Sequence, residues 1–326
     1  MDLHPAISFF GGLVIILLGA ELVLRGATRF AAMLGINPII IGLTIVSVGT
    51  SMPELAIGIT AVADGFGTLA VGNIAGTNIV NILLILGLSA DIKPLPLQLM
   101  SIRLDVPVMI VSAVVLVVMA ADGVLSRREG AILLLGAVAY LIKLIQISRK
   151  ETAVIKKEFA ADFGKQALHV QKSTPSLMFL VMLVTGIGLS VLGAHLLVAG
   201  AVNIALSLGI SESVVGLTIV AIGTSAPELA TTVVGTIKND RDVAVGNLIG
   251  SSSTNILVIL GLTCIAAPNG VQVSNDVLWF DLPLAAAVAI ACYPVFRSDR
   301  MVSQKEGLVF VLIYLLYLST LLLLRT

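Results

Sequence analysis

Ten apolar runs, at roughly residues 7–31, 37–63, 69–90, 104–121, 130–148, 176–206, 212–237, 243–266, 278–296 and 307–324, follow one another through the 326 residues of the chain. Each is long enough for a helix to cross a hydrocarbon core of about 30 Å. Inside that core the backbone must satisfy its own hydrogen bonds, so the runs have to be helices. Composition agrees, with 58% of residues hydrophobic and 12% charged, an excess that a soluble domain could not hide. The expected fold class is an all-α polytopic membrane protein with ten transmembrane helices.

Lys and Arg number 19 and so do Asp and Glu. No net basic surface invites nucleic acid, and the bilayer is the expected partner. Cys264 and Cys292 lie in apolar runs without a zinc-ligand spacing, and read as small buried thiols. The first run lacks a basic leader and continues past signal-peptide length, so it reads as a retained helix. With the N-terminus outside, fourteen Lys and Arg fall on the inner side and three on the outer. Because these residues collect on the cytoplasmic side, both termini are expected outside, across a bacterial inner membrane. The charged stretch 149–175 is then an inner linker.

Two segments 174 residues apart set the domain organisation. "GINPIIIGLTIVSVGTSMPELA" (35–56) and "GISESVVGLTIVAIGTSAPELA" (209–230) agree at 14 of 22 positions, and "AVGNIAGTNIVNILLILG" (70–87) agrees with "AVGNLIGSSSTNILVILG" (244–261) at 11 of 18. Apolar bias would align Leu with Val, but not Gly, Thr, Ser, Pro and Glu in register. The likeness reaches "GAELVLRGA" and "GAHLLVAGA", "LDVP" and "FDLP", and "SRREG" and "SQKEG". Residues 1–148 and 176–326 are therefore two five-helix halves. Five is odd, so the second half enters the membrane from the opposite side, the inverted-repeat architecture of many secondary transporters.

Each half carries a polar box that hydrocarbon penalises. Ser47, Thr50, Ser51 and Glu54 share one helix face, and Pro53 has no N–H for the carbonyl of Gly49. A bent helix with loosened carbonyls is tolerated only where it lines a cavity or binds something. On the next helix Asn73, Thr77 and Asn81 recur every four residues. The other half repeats these groups as Ala221, Thr224, Ser225, Pro227 and Glu228, followed by Asn247, Ser251 and Asn255. Two carboxylates surrounded by amide, hydroxyl and carbonyl oxygens, with no imidazole or thiolate, suit a hard cation such as Ca²⁺. Each carboxylate costs about 2.5–3.5 kcal/mol at a helix centre, and a bound cation supplies the opposite charge. Asn73 and Asn247 fit interhelical hydrogen bonding as well as ligation. The box glycines, among them Gly76, Gly246 and Gly250, could serve helix packing alone.

Other polar residues read as structural. Glu21 and Arg25 form an internal ion pair, His195 at the position equivalent to Glu21 is a hydrogen-bonded structural residue, and Asp105 and Asp281, each two residues before a proline, are helix N-caps.

The paired boxes, each followed by a "GN" helix rich in small residues, resemble the two alpha-repeats of the sodium/calcium exchanger family, over essentially the whole chain. The resemblance implies an antiporter, not an enzyme, that needs no cofactor and functions as a monomer, with Ca²⁺ and Na⁺ as its transported partners. It implies that Glu54 and Glu228 bind both ions, with oxygens from Thr50, Ser51, Thr224 and Ser225. Thr77 and Ser251 match family hydroxyl ligands, Asn81 and Asn255 flank the centre, and the carbonyls of Ser47 and Ala221 match outlying Na⁺ ligands. It further implies that the first and sixth helices slide against the other eight. Family members commonly carry Asp at one of the two positions that are Asn81 and Asn255 here. Two central carboxylates instead of three leave H⁺ open as the coupling ion. A passive channel and an intramembrane protease are the other classes weighed. Inverted repeats favour alternating access over the first, and the lack of a Ser–His or paired-Asp arrangement disfavours the second.

Overall fold

A computed structural model describes residues 4–34, 36–150, 176–208 and 221–325. The first half comprises α1 (Pro5–Leu34), α2 (Pro38–Thr50), α3 (Met52–Ala63), α4 (Gly67–Ile92), α5 (Ser101–Asp122) and α6 (Arg127–Lys150). The second comprises α7 (Ser176–Ser207), α8 (Ala221–Thr224), α9 (Ala226–Lys238), α10 (Arg241–Ala266), α11 (Val277–Ser298) and α12 (Gln304–Arg325). Among the described residues eight helices are long and apolar enough to span a bilayer, and α2 with α3, bent by 40°, makes a ninth. The tenth expected run, 212–237, is described only from Ala221 onward, as α8 and α9; its earlier part and most of the 149–175 linker lie outside the described residues.

Apolar side chains such as Val118, Leu135 and Leu316 face outward, while the helices at the centre carry the buried polar groups. That distribution suits a surface solvated by lipid tails. The middle of the bundle is formed by α4 and α10, pseudo-equivalent helices that are the most buried of the spans.

The two halves are tied by exchanged edges. β1 (Leu95–Pro96) follows α4 and pairs antiparallel with β4 (Met301–Val302), which precedes α12. β2 (Val124–Leu125), preceding α6, pairs with β3 (Val271–Gln272), which follows α10. The repeats make these equivalent junctions, one for each end of the bundle. The helices that follow begin with the same device: Ser126 N and Oγ donate to Glu129 Oε2 at 2.7 and 2.8 Å, and Ser303 N and Oγ donate to Glu306 Oε2 at 2.9 and 2.7 Å. Both are capping boxes, in which a Ser and a Glu three residues on satisfy each other's backbone donors.

A seam of glycines joins α1 to α7. Gly12, Gly19 and Gly26 are spaced by seven on one helix, and Gly186, Gly193 and Gly200 by seven on the other. A β-carbon at Gly193 would stand 2.5 Å from the backbone nitrogen of Ile16, and one at Gly19 would stand 2.6 Å from that of Ser190. Only hydrogen fits where backbones cross this closely. Of the box glycines, Gly246 and Gly250 are also packing residues, with backbone of Ile39 and Leu43 at 2.6 and 2.7 Å, whereas Gly76 has open space.

The N-cap reading of Asp105 and Asp281 is overturned. Both have helical backbone and no capping hydrogen bond, because α5 and α11 begin four residues earlier with a π-helical turn, Ser101–Asp105 and Val277–Asp281. Such a wide turn seats the ring of the proline that follows without breaking the helix. Both carboxylates are buried, and each accepts a hydrogen bond from a tyrosine of the last helix of its half: Tyr140 to Asp105 at 2.9 Å and Tyr317 to Asp281 at 3.4 Å. Glu21 pairs with Arg25 as expected and also with Lys238 at the end of α9. His195 is exposed on α7.

Candidate functional site

Breaks in two helices build the site. Ser51 (φ −83°, ψ 11°) interrupts the α2–α3 rod and Ser225 (φ −84°, ψ 9°) interrupts α8–α9. Pro53 and Pro227 each fall in the first turn of the continuing helix, where a missing N–H costs nothing. Glu54 and Glu228 sit in those same first turns. The unpaired N–H groups of a helix start favour a carboxylate there, and the carbonyl ends of α2 and α8 lie across the break. The sequence therefore sets a carboxylate at a helix break twice; at the first break the carbonyl of Ser47 accepts from Ser51 N at 3.2 Å.

Glu54, Glu228, Thr50, Ser51, Thr224, Ser225, Thr77, Asn81, Ser251, Asn255 and Ser47 are all buried, and Ala221 opens α8. Hydrogen bonds cross between the halves. Ser51 Oγ donates to Glu228 Oε1 at 3.4 Å, and the hydroxyls of Thr50 and Ser251 lie beside the same carboxylate. Thr50 Oγ1 donates to Asn247 Oδ1 at 3.1 Å, so Asn247 is an interhelical hydrogen-bonding residue, and Ser47 Oγ lies 3.4 Å from Thr254 Oγ1. The first half thus supplies hydroxyls to the carboxylate of the second.

What stays unpaired is as telling. Both carboxylate oxygens of Glu54, Glu228 Oε2, Asn81 Oδ1, Asn255 Oδ1, Thr77 Oγ1 and Ser225 Oγ are buried with no hydrogen-bond partner among the described residues. Buried polar atoms are ordinarily satisfied, and carboxylate, amide and hydroxyl oxygens left without partners are the donor type that a hard cation takes. No described Lys or Arg is paired with either glutamate, since both ion pairs belong to Glu21. Nor do three or more His, Cys, Asp or Glu gather anywhere among the described residues. The only acidic groups of the two boxes are therefore Glu54 and Glu228.

Sequence reasoning missed Asn78 and Thr254, both buried and both bonded to the other half. Asn78 lies one residue off the four-residue stripe of Thr77 and Asn81. Its signal was only its adjacency to Thr77, because α4 passes into π-helical turns at Val80–Leu86, and a wider turn changes which residues share a face.

Comparison with known proteins closes the identification. The family model described as sodium/calcium exchanger protein matches residues 4–146 and 178–323. The sodium/calcium exchanger MaX1 of Methanosarcina acetivorans is 31% identical over 338 residues, covering 95% of this chain and 96% of that one. The inner membrane protein YrbG of Escherichia coli K12 is 36% identical over 266 residues, with 80% of this chain and 79% of that one covered. Among solved structures, the sodium-calcium exchanger NCX_Mj, soaked with Na⁺ and Ca²⁺, superposes with a TM-score of 0.82 at 27% identity, over 98% of this chain and 99% of its own. With its duplicated boxes and these matches along nearly its whole length, the chain is an integral membrane protein of the sodium/calcium exchanger family.

Proposed function

We propose that the chain exchanges Ca²⁺ for Na⁺ at one midplane site, moving Ca²⁺ outward across a bacterial inner membrane with both termini outside. The observation that carries this reading is the set of buried oxygens without hydrogen-bond partners among the described residues, those of Glu54 and Glu228 included. One Ca²⁺ neutralises two carboxylates, whereas the empty site keeps two charges that are costly to carry through hydrocarbon. Exchange is therefore favoured over leak. The proposed ligands are Glu54 and Glu228 with Thr50, Ser51, Thr224, Ser225, Thr77, Ser251, Asn81 and Asn255, together with the carbonyls of Ser47 and Ala221. MaX1 and NCX_Mj, both named as sodium and calcium exchangers, support the same ion pair.

Alternating access needs a moving body, and the glycine seam supplies one. α1 and α7 interlock along their length through Gly12, Gly19, Gly26, Gly186, Gly193 and Gly200. Helices packed backbone to backbone move as a unit, so the pair slides across the boxes and opens the site to one side at a time.

The test is ⁴⁵Ca²⁺ uptake into proteoliposomes loaded with Na⁺, beside K⁺-loaded and pH-jumped vesicles. Uptake that requires internal Na⁺ is expected. Uptake driven by the pH jump alone would make the protein a proton-coupled exchanger, the reading that Asn at both 81 and 255 leaves open. Flux without any counter-ion would make it a channel.

A further inference from the structure

Asn78 is buried on α4 at the junction of the two halves. Its Nδ2 donates to the carbonyl of Ser252 at 3.1 Å, and its Oδ1 accepts from Asn255 Nδ2 at 3.3 Å. An amide has a donor end and an acceptor end. With the donor end of Asn78 committed to a carbonyl, only its acceptor end faces Asn255. Asn255 must then turn its NH₂ toward Asn78 and its Oδ1 away. That Oδ1 is one of the orphaned oxygens of the site.

Among the described residues the arrangement has no counterpart in the other half. Ser252 occupies the position equivalent to Asn78 and spends its hydroxyl on the Leu248 carbonyl at 3.1 Å. Asn81, equivalent to Asn255, has neither amide atom paired among the described residues. Among the described residues the two amides therefore differ in their partners. A cation is attracted by an amide oxygen and repelled by an NH₂, so a flipped Asn255 would oppose binding.

We infer that Asn78 is a positioning residue that locks the Asn255 amide with its oxygen toward the transported cation. The inference rests on the cation site proposed above. It assigns to Asn78 an effect on cation affinity that passes through Asn255 and through no other ligand.

The experiment is a double-mutant cycle in Na⁺-loaded proteoliposomes, reading KM for Ca²⁺ and maximal rate separately. Asn78→Ala is expected to raise KM about tenfold, the order of a lost buried hydrogen bond, with the maximal rate within about twofold. Asn78→Ala combined with Asn255→Ala should bind no worse than Asn255→Ala alone, whereas its effect should add in full to that of Asn81→Ala. Asn78→Ser, a smaller hydroxyl residue that can still accept from Asn255, should recover part of the affinity and serves if the alanine variant fails to fold. Additive losses with Asn255→Ala, or an equal fall in rate with KM unchanged, would overturn the assignment. Activity surviving in Glu54→Gln would instead sink the cation site itself, so the two failures are distinguishable.

Discussion

Glu54→Gln and Glu228→Gln each lower Na⁺-dependent ⁴⁵Ca²⁺ uptake by about a hundredfold or more, and neither variant is less stable than the parent in Ca²⁺-free detergent. Both halves of this expectation follow from one charge. The substitution keeps shape and removes one of two carboxylates, leaving a bound Ca²⁺ with an uncompensated positive charge. Unit charges 4 Å apart interact by about 4 kcal/mol at an effective dielectric of about 20. Retaining most of that difference after relaxation already exceeds a factor of about 100. In the absence of a cation the sign reverses. Each carboxylate costs about 2.5–3.5 kcal/mol at a helix centre, and the carboxylate oxygens of Glu54 have no hydrogen-bond partner among the described residues. Replacing it with a neutral amide removes that penalty. Thermal unfolding followed by tryptophan fluorescence or by size exclusion after heating, beside flux measurements, checks both. A variant that lost transport together with its fold would point to a structural glutamate instead.

The second large effect lies away from the boxes. Gly193→Ala places a methyl group 2.5 Å from the backbone nitrogen of Ile16 and 2.9 Å from the carbonyl oxygen of Gly12. Both obstacles are backbone, so no flexible side-chain end can yield and α1 must move off α7. Overpacking of this kind costs about 1–3 kcal/mol, expected as a loss of several degrees in thermal midpoint and a transport rate reduced about tenfold. Gly193→Leu should fail to assemble. Gly188→Ala, on the exposed side of the same helix with nothing within 4 Å, is the contrast. It should leave transport unchanged and raise stability slightly, because alanine favours helix over glycine by about 1 kcal/mol. If the two alanine variants behaved alike, the seam would not be what holds the pair together.

The described helices fall on the apolar runs because length and hydropathy are what a bilayer selects for, and no tertiary contact is needed to see them. The two boxes were legible for a related reason: a Pro and a Glu in hydrocarbon are expensive enough that their repetition carries information. Asn78, the Asp105–Tyr140 and Asp281–Tyr317 pairs and the glycine seam were not read from sequence. Asn78 depends on the π-helical stretch after Ile79, which a uniform helical period cannot anticipate. Asp105 and Asp281 precede prolines, and local rules make that a helix start; the wider turns at Ser101–Asp105 and Val277–Asp281 carry the helix further back. Gly12, Gly19 and Gly26 were visible as a spacing of seven, yet only the opposing glycines of α7 make that spacing a contact. The pairing of β1 with β4 and of β2 with β3 joins segments more than a hundred residues apart, beyond any local signal. The sequence did carry their symmetry, since each strand lies beside a repeated motif.

On the proposed function, the two halves build one cation site. Isothermal titration of the purified protein with Ca²⁺ in Na⁺-free buffer tests it most directly, with Glu54→Gln and Glu228→Gln titrated alongside. One Ca²⁺ per chain is predicted, with the binding heat lost in either variant, because neither half holds enough charge alone. Two Ca²⁺ per chain, each lost independently with its own glutamate, would contradict the shared site and leave the two boxes as separate centres.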